Sequence, residues 1–230
     1  METRYDIILM DADETLFDYV KSARTSLDAT LTKYGIPHDG GVWDLYRELN
    51  NALWRKFERG EITKPKLQTE RFDALFEALG VKVDSAAFNG DYMLGLAEGG
   101  YALPGAEELC RTLFPHVKLY IITNGFQFTQ ERRMERSPLK QYITKMYISE
   151  QLGAQKPQKE FFDAVLADLG EVERSRILVF GDSLTSDMQG GINAGLDTCW
   201  YNPEGKDPAG LHLNYEIAQL AELVPIVLKV

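Results

Sequence analysis

The chain has 230 residues, of which 44% are hydrophobic, and it carries a formal net charge of −10. This length is sufficient for one large domain or for a core with an inserted lobe. The acidic balance disfavours nucleic-acid polymers as partners, because binding a phosphate backbone requires a basic face.

The sequence also gives no indication of membrane insertion or secretion. No run of about eighteen apolar residues occurs, so we expect no membrane span, and the first strand begins too early to leave room for a signal peptide. Cys110 and Cys199 are far apart and lack metal-ligand spacing, which predicts that each packs as a small apolar residue. These features together predict a cytoplasmic protein.

The first predicted strand ends in two acids. The apolar run at 5–10 is typical of a buried parallel strand, and Asp11 and Asp13 follow it directly. Ligands in open α/β sheets bind at the carboxyl ends of strands, where residues two positions apart point to the same side. Carboxylates this close are unfavourable unless a cation or a proton lies between them. The pair indicates a nucleophile beside a proton-transferring group with Mg²⁺ offsetting the charge, or else an acidic turn after an edge strand.

The segment from there to residue 101 has a helical pattern throughout. Apolar residues at helical spacing, bounded by stop signals, predict helices at about 22–33, 42–59, 63–80 and 85–98. Four consecutive amphipathic helices predict a small helical bundle inserted into the rest of the chain. After Pro104, helix and strand patterns alternate to the end, which is typical of a parallel sheet with flanking helices.

Three later segments place polar residues where the same sheet would gather them. The predicted strands at 117–122 and 176–180 both end in polar groups, and between them a lysine precedes a proline at a predicted helix start. In chain order, these polar residues are Thr123, Asn124, Gly125, Lys156, Asp182, Ser183 and Asp187. Taken singly, the three segments are typical of a turn, a surface lysine and a helix N-cap.

The motifs in this order resemble the haloacid dehalogenase (HAD) superfamily of phosphohydrolases. They extend over essentially the whole chain, as D-x-D-x-T at 11–15, a hydroxyl residue at 123, Lys-Pro at 156–157 and G-D-S-x-x-x-D at 181–187. Further similarity to the pyrimidine 5′-nucleotidase branch of that superfamily lies in the segments at 11–18, 54–63 and 181–191.

This resemblance implies an α/β fold with a Rossmann-like HAD core built on a parallel sheet. The core would comprise residues 1–17 and 100–230. An all-helical cap of the four-helix-bundle type, at residues 18–99, would be inserted between the first and second core strands. Caps in this position close over the site in HAD enzymes, so the cap is expected to choose the substrate.

The resemblance also implies a role for each motif residue. Asp11 would attack phosphorus and form an aspartyl-phosphate, and Asp13 would act as general acid and then as general base. Lys156 would neutralise the charge that develops on the transferring phosphoryl group. The phosphoryl oxygens would be held by the Thr123 hydroxyl and the backbone N–H groups of Asn124 and Gly125.

A magnesium site is implied at the same place. Asp182 would be a direct ligand together with the Asp11 carboxylate and the Asp13 backbone carbonyl, and few carboxylates with several waters suit Mg²⁺. Asp187 would support the metal through water or hold the catalytic lysine in place. Ser183 would flank the metal ligand, although an acid followed by a serine is also typical of a plain helix N-cap.

The resulting prediction is a Mg²⁺-dependent phosphomonoesterase acting through an aspartyl-phosphate, on nucleoside 5′-monophosphates with a preference for pyrimidines. The alternatives are a HAD phosphatase of small sugar phosphates or phosphoglycolate, and a non-catalytic phosphate-binding regulatory module. Candidates to flank a base are Phe17, Tyr19, Trp54 and Phe57, although aromatic residues at helical spacing more often pack in a core. No apolar seam is left over for a stable protein partner, so we expect a monomer or weak homo-oligomer that binds a small phosphorylated substrate.

Overall fold

The regular structure includes six strands and ten α-helices in a computed structural model, which describes residues 2–229. The strands are β1 (Ile7–Met10), β2 (Lys118–Thr123), β3 (Lys145–Ile148), β4 (Ile177–Gly181), β5 (Asp197–Tyr201) and β6 (Tyr215–Ile217). The helices are α1 (Tyr19–Lys33), α2 (Val42–Glu58), α3 (Lys64–Leu79), α4 (Ser85–Glu98), α5 (Ala106–Leu113), α6 (Gln127–Arg136), α7 (Ser149–Leu152), α8 (Lys159–Leu169), α9 (Gln189–Asn193) and α10 (Leu223–Val227).

All six strands lie in one parallel sheet in the order β3-β2-β1-β4-β5-β6, which confirms the predicted α/β class. In register, Leu9 of β1 pairs with Tyr120 of β2 on one side and with Val179 of β4 on the other. The chain adds β2 and β3 on one side of β1 and then returns to add β4, β5 and β6 on the other. The strand order therefore reverses at β1, and ligands in such sheets bind outside the carboxyl ends of the strands at this switch point.

Both faces of the sheet are covered, as its uninterrupted apolar strands predict. Along β1, Ile8 and Met10 belong to the core on one face, and Ile7 and Leu9 belong to the core on the other. The first face packs against residues of α5 and α10, and the second face packs against α8. Burial on both faces fixes β1 in the sheet, so the residues that follow its carboxyl end start from a well-defined position.

The two cysteines pack in the core as predicted. Cys110 lies on α5 and Cys199 on β5, and both are buried free thiols in the same core cluster. Burial raises the pKa of each thiol to about 12. Because the thiolate is the reactive form, neither cysteine offers a nucleophile at neutral pH.

Helices α1–α4 confirm the four helices predicted between the first strand and residue 101. Except for Tyr19, the first residue of α1, they lie in a compact unit, Val20–Gly99, and the sheet lies in a second unit formed by the described residues up to Tyr19 and from Gly100 onward. Among the described residues, no helix combines the length and the apolar character that crossing a bilayer requires.

Aromatic rings fill the core of the helical unit. Phe72 of α3 lies 5.7 Å from Tyr46 of α2 and 4.9 Å from Phe88 of α4, measured between ring centroids. Helices α1 and α4 approach closely, because the Ser26 hydroxyl donates to the Tyr92 carbonyl at 2.6 Å. These contacts explain the apolar spacing of the helices as core packing.

Candidate active site

The turn after β1 gives Asp11 and Asp13 different degrees of solvent exposure. Asp11 still pairs with the neighbouring strand, since its N–H donates to the Phe180 carbonyl of β4 at 2.8 Å. The chain then folds back, because the N–H groups of residues 16 and 17 both donate to the Ala12 carbonyl, at 3.0 and 2.8 Å. As a result the Asp11 side chain is 12% exposed, whereas that of Asp13 is 29% exposed.

Lys156 joins the acids that follow β1 and β4. Its Nζ donates to Asp11 Oδ1 at 2.5 Å, to Asp187 Oδ1 at 2.6 Å and to the Ile122 carbonyl of β2 at 2.8 Å. An ammonium group has three protons to donate, so these acceptors satisfy it completely. The lysine side chain is 2% exposed. This buried contact brings together residues that are 145 and 31 positions apart in the chain.

Asp187 holds the lysine and closes the turn after β4. Its Oδ2 accepts from the Ser183 N–H at 3.2 Å, while its Oδ1 accepts from the lysine. A β-carbon at Gly181 would overlap this carboxylate, which explains the glycine at the end of β4. The Ser183 hydroxyl accepts from the Ser186 N–H at 3.2 Å, so this serine caps the short helical turn that follows.

Asp182 is fixed from two sides. The Thr15 hydroxyl donates to Asp182 Oδ1 at 3.2 Å, and the Asp182 N–H donates back to the same hydroxyl at 3.1 Å. From β5, the indole N–H of Trp200 donates to the Asp182 main-chain carbonyl at 2.8 Å. The motif threonine therefore links the loop after β1 to the loop after β4, and Trp200 supports that loop from the next strand.

The turn after β2 uses its polar groups in a way that was only partly predicted. The Gly125 N–H donates to the Thr123 hydroxyl at 2.9 Å, so the glycine amide is already engaged with the threonine. The Asn124 side chain forms a reciprocal pair with the Lys156 backbone, accepting from its N–H and donating to its carbonyl, both at 2.9 Å. Asn124 thereby positions the loop that carries the lysine, a side-chain role that the sequence did not indicate.

Asp13 contacts two residues that sequence reasoning missed. Gln130 Nε2 donates to Asp13 Oδ2 at 2.6 Å, and Arg133 Nη1 forms an ion pair with Asp13 Oδ1. Both partners lie on α6 and are almost completely buried. Together with Met134 they form the buried side of α6, which its polar sequence does not indicate.

The aromatic candidates for substrate contact differ in their surroundings. Phe17 is fully buried in the core of the sheet unit, where its ring centroid lies 4.8 Å from the Arg133 guanidinium. Phe57 is also buried, with the Trp54 ring edge-on to it at 5.7 Å. Contacts of these two residues with a base stay predictions. Tyr19 and Trp54 are partly exposed, and their substrate contacts stay predictions.

Burial and neighbouring charges shift the pKa values of the acids and of the lysine in the site. Burial raises the pKa of Asp11 well above its ordinary value, against the opposing charge of Lys156. Burial and the charge of Asp187 raise the pKa of Asp182 to about 7. Burial alone would lower the pKa of Lys156, but the charges of Asp11 and Asp187 outweigh it and raise that pKa. The lysine is therefore a permanent cation in an environment that still has an excess of carboxylates.

The donor set fits a divalent cation. Asp11, Asp182 and Asp187 each offer a carboxylate oxygen, and these oxygens lie within 4.8 Å of one another. In their ionised forms the three carboxylates, set against the one ammonium of Lys156, would carry two excess negative charges, which a divalent cation would balance. Hard oxygen donors at a partly open position are what Mg²⁺ and Ca²⁺ bind. The cluster can therefore hold a metal ion of this type.

Known proteins with similar sequences and structures place this chain in a hydrolase family. The family model described as haloacid dehalogenase-like hydrolase matches residues 5–195 of the chain. The chain belongs to this family. Among solved structures, the HAD-hydrolase YfnB from Bacillus subtilis, bound to magnesium, superimposes with a TM-score of 0.92 at 36% identity, covering 97% of this chain and 98% of YfnB. That structure of YfnB reveals interdomain movement.

Two curated relatives of this HAD protein are pyrimidine 5′-nucleotidases. YjjG of Escherichia coli is 37% identical over 227 residues, which are 98% of this chain and 99% of YjjG. PynA of Streptococcus pneumoniae is 36% identical over 200 residues, which are 86% of this chain and 84% of PynA. Family and relatives together identify the chain as a HAD-family phosphatase, a phosphoric monoester hydrolase.

Proposed function

We propose that the protein is a Mg²⁺-dependent phosphatase of nucleoside 5′-monophosphates that prefers pyrimidines and works through an aspartyl-phosphate. The observation that carries the chemistry is the buried cluster at the sheet edge. There the Asp11 carboxylate lies against Lys156, and Asp182 and Asp187 complete the acidic group. The observation that supports the substrate class is the similarity to YjjG and PynA over most of their lengths.

The proposed reaction has two steps. In the first, an Asp11 oxygen bonds to phosphorus, the bond from phosphorus to the ester oxygen breaks, and Asp13 donates a proton to the departing oxygen. In the second, Asp13 takes a proton from water, the resulting hydroxide bonds to phosphorus, and the bond to Asp11 breaks to release inorganic phosphate. Asp13 ends protonated and Asp11 ionised, so both residues return to their starting forms.

Positive groups and hydrogen-bond donors would stabilise the transferring phosphoryl group. Lys156 places its charge at the nucleophile, and it is held there by three acceptors. We assign the Thr123 hydroxyl and the backbone N–H of Asn124 to the phosphoryl oxygens, with the Gly125 N–H joining if it exchanges its threonine partner for the phosphate. Phosphoryl transfer depends mainly on positioning and electrostatics, which is what such a buried and preorganised set provides.

Magnesium would complete the site. The residues we assign to it are the carboxylates of Asp11 and Asp182 and the main-chain carbonyl of Asp13, with Asp187 holding Lys156 beside them. When bound, the ion would offset the negative charge of the carboxylates and of the phosphoryl oxygens. The Thr15 and Trp200 contacts to Asp182 would keep that ligand in place.

We assign the choice of substrate to the helical unit, because the roles proposed for the motif residues of the sheet unit concern only phosphate and metal. Trp54 of α2 is the partly exposed aromatic candidate for a flat base in that unit, and Tyr19, just before it in the chain, is a second partly exposed candidate. Replacing Trp54 with alanine should then raise the KM for a pyrimidine monophosphate more than the KM for a simple aryl phosphate.

The test is phosphate release from a panel of monophosphates in the presence of Mg²⁺, comparing the wild type with Asp11→Asn. The panel holds UMP, dUMP, dTMP, purine nucleotides, hexose phosphates and phosphoglycolate. Asparagine keeps the shape of the side chain but removes the nucleophilic oxygen, so we expect turnover to fall by more than about a thousandfold. Asp39→Asn, at an exposed loop residue, is the matched control and should retain wild-type turnover.

Each outcome has a distinct meaning. Preference for pyrimidine monophosphates, lost on removing Mg²⁺ and in Asp11→Asn, supports the whole proposal. Release confined to sugar phosphates or phosphoglycolate would retain the mechanism and contradict the substrate class. Full activity of Asp11→Asn would contradict the aspartyl-phosphate, and a folded wild type inert towards the whole panel would favour a regulatory phosphate-binding role.

A further inference from the structure

The proposed general acid is held by two buried side chains of one helix. Gln130 and Arg133 are three residues apart on α6 and therefore lie on the same face of it. They are 1% and 0% exposed, and each donates to a different oxygen of the Asp13 carboxylate. We call Gln130 and Arg133 the α6 pair.

The α6 pair is itself fixed by its surroundings. The Arg133 guanidinium lies 4.8 Å from the centroid of the buried Phe17 ring, a cation–π contact. A β-carbon at Gly125 would overlap the Gln130 amide, so the glycine after β2 leaves the space that this side chain occupies. Burying a guanidinium is unfavourable without a hydrogen-bond acceptor, and the Asp13 carboxyl group supplies one. The two donors are thus held in one arrangement before any substrate binds.

The contacts hold Asp13 without blocking proton transfer. A carboxylate has about four lone-pair positions, two on each oxygen. The α6 pair occupies one of these positions on each Asp13 oxygen. The Asp13 side chain is 29% exposed, whereas its two partners are buried. Asp13 is therefore anchored on its buried side. Its open side is left for the proton that it would give to the leaving group and later take from water.

From this geometry we infer that Gln130 and Arg133 are positioning residues for Asp13, a role that rests on the proposed function of Asp13 as general acid and base. Orienting a proton donor matters in proportion to how much the departing oxygen needs the proton. A ribose 5′-alkoxide is strongly basic and needs it, whereas p-nitrophenolate is a stable anion that leaves without it. Loss of the α6 pair should therefore impair nucleotide cleavage far more than cleavage of p-nitrophenyl phosphate.

The test compares kcat/KM on two substrates, a pyrimidine nucleoside monophosphate and p-nitrophenyl phosphate. For each substrate, kcat/KM depends on the steps up to expulsion of the leaving group, even when a later step limits kcat. We expect Arg133→Met and Gln130→Leu to lower kcat/KM for the nucleotide by about tenfold or more. On p-nitrophenyl phosphate the same variants should stay within about threefold of the wild type, and Arg133→Lys should recover part of the nucleotide activity.

Arg136→Met is the matched control, because it removes an exposed arginine from the same helix and should change neither ratio. Should Arg133→Met fail to fold by circular dichroism, Gln130→Leu and Arg133→Lys decide the question, since they keep the buried volume or the buried charge. Equal losses on both substrates would show that the α6 pair only packs the core, and no loss on the nucleotide would also overturn the inference. A wild type inactive on both substrates would instead contradict the proposed function, so the two failures are distinguishable.

Discussion

Lys156 illustrates how one residue serves both the fold and the chemistry. Its three ammonium protons all donate to the protein, to Asp11, Asp187 and the Ile122 carbonyl. The same group therefore compensates two buried carboxylates and fixes Asp11, the proposed nucleophile, at a defined position. A lysine before a proline is typical of the surface when it is taken alone, and only the other motifs in order indicated a catalytic role for it.

Replacing Lys156 with methionine should reduce both stability and activity. The substitution keeps a linear side chain but leaves Asp11 and Asp187 buried without their cation. Removing one partner of a buried ion pair lowers the free energy of unfolding by about 3–5 kcal/mol, and we expect a loss of that size in urea denaturation without metal. Turnover should fall to a trace, because the charge beside the nucleophile is lost.

Lys159→Met provides the control for this prediction. Lys159 is an exposed residue of α8 whose partner Asp163 lies one turn further on the helix surface. Exposed pairs of this kind contribute little, so we expect the unfolding free energy to change by no more than about 0.5 kcal/mol. Equal stabilities of the two variants would show that Lys156 does not compensate the buried acids.

The side-chain role of Asn124 could not be predicted from the residues around it. The turn signal after β2 predicted backbone N–H groups facing a phosphate, and it said nothing about the asparagine side chain. In the structure that side chain pairs with the Lys156 backbone across 32 positions of sequence. A partner that distant is decided by the sheet order and by the loop before α8, so local turn chemistry could not reveal it.

At the scale of elements, the sequence predicted what periodicity and strand ends determine. Helices α1–α4 were predicted to within about three residues at each end, because each combines an apolar stripe with a stop signal. The strands β1, β2 and β4 were predicted as buried apolar runs ending in polar residues. The polar ends of these strands were expected to meet in one sheet, and the sheet order places β1 between β2 and β4.

Helix α6 shows what this reasoning missed. Its sequence, from Gln127 to Arg136, is so polar that it suggests a solvated surface helix. The structure nevertheless buries Gln130, Arg133 and Met134 on one side of it. Hydrophobic periodicity predicts the buried face of a helix from its apolar residues alone. The burial of Gln130 and Arg133 could therefore be predicted only if Asp13 were known to lie opposite them.

Strand β5 contacts the proposed metal ligand Asp182 through a hydrogen bond from the Trp200 indole N–H to the Asp182 carbonyl. Trp200→Phe keeps a ring in the core but removes this donor, and a lost hydrogen bond costs about 1 kcal/mol. We expect the Mg²⁺ concentration for half-maximal activity to rise about fivefold, the change in affinity that this energy gives. Activity measured against free Mg²⁺ checks the prediction.

Trp43→Phe is the matched control for strand β5, since Trp43 lies on α2 beside Tyr46 in the helical unit. It makes the same chemical change far from Asp182 in the chain, and the Mg²⁺ requirement should stay that of the wild type. If Trp200→Phe leaves the requirement unchanged as well, the loop after β4 holds Asp182 without help from β5.

At the scale of the whole molecule, the net charge repels a phosphate substrate, whereas the site attracts it. The chain carries a net charge of −10, and a phosphate monoester carries about two negative charges at neutral pH, so their long-range interaction is repulsive. The attraction comes from Lys156 and the proposed metal, both at short range and in a buried setting. Salt screens exposed, distant charges much more than buried, adjacent ones.

Raising the ionic strength should therefore increase the rate of substrate capture. Between about 20 mM and about 200 mM salt, at constant free Mg²⁺, we expect kcat/KM for a nucleoside monophosphate to rise about two- to threefold, because the Debye length falls well below the size of the protein. Measurements in KCl and in choline chloride separate screening from binding of a particular cation, since screening depends only on ionic strength. A steady fall of kcat/KM in both salts would contradict the prediction, because it would mean that the field a substrate meets on approach is positive despite the acidic surface.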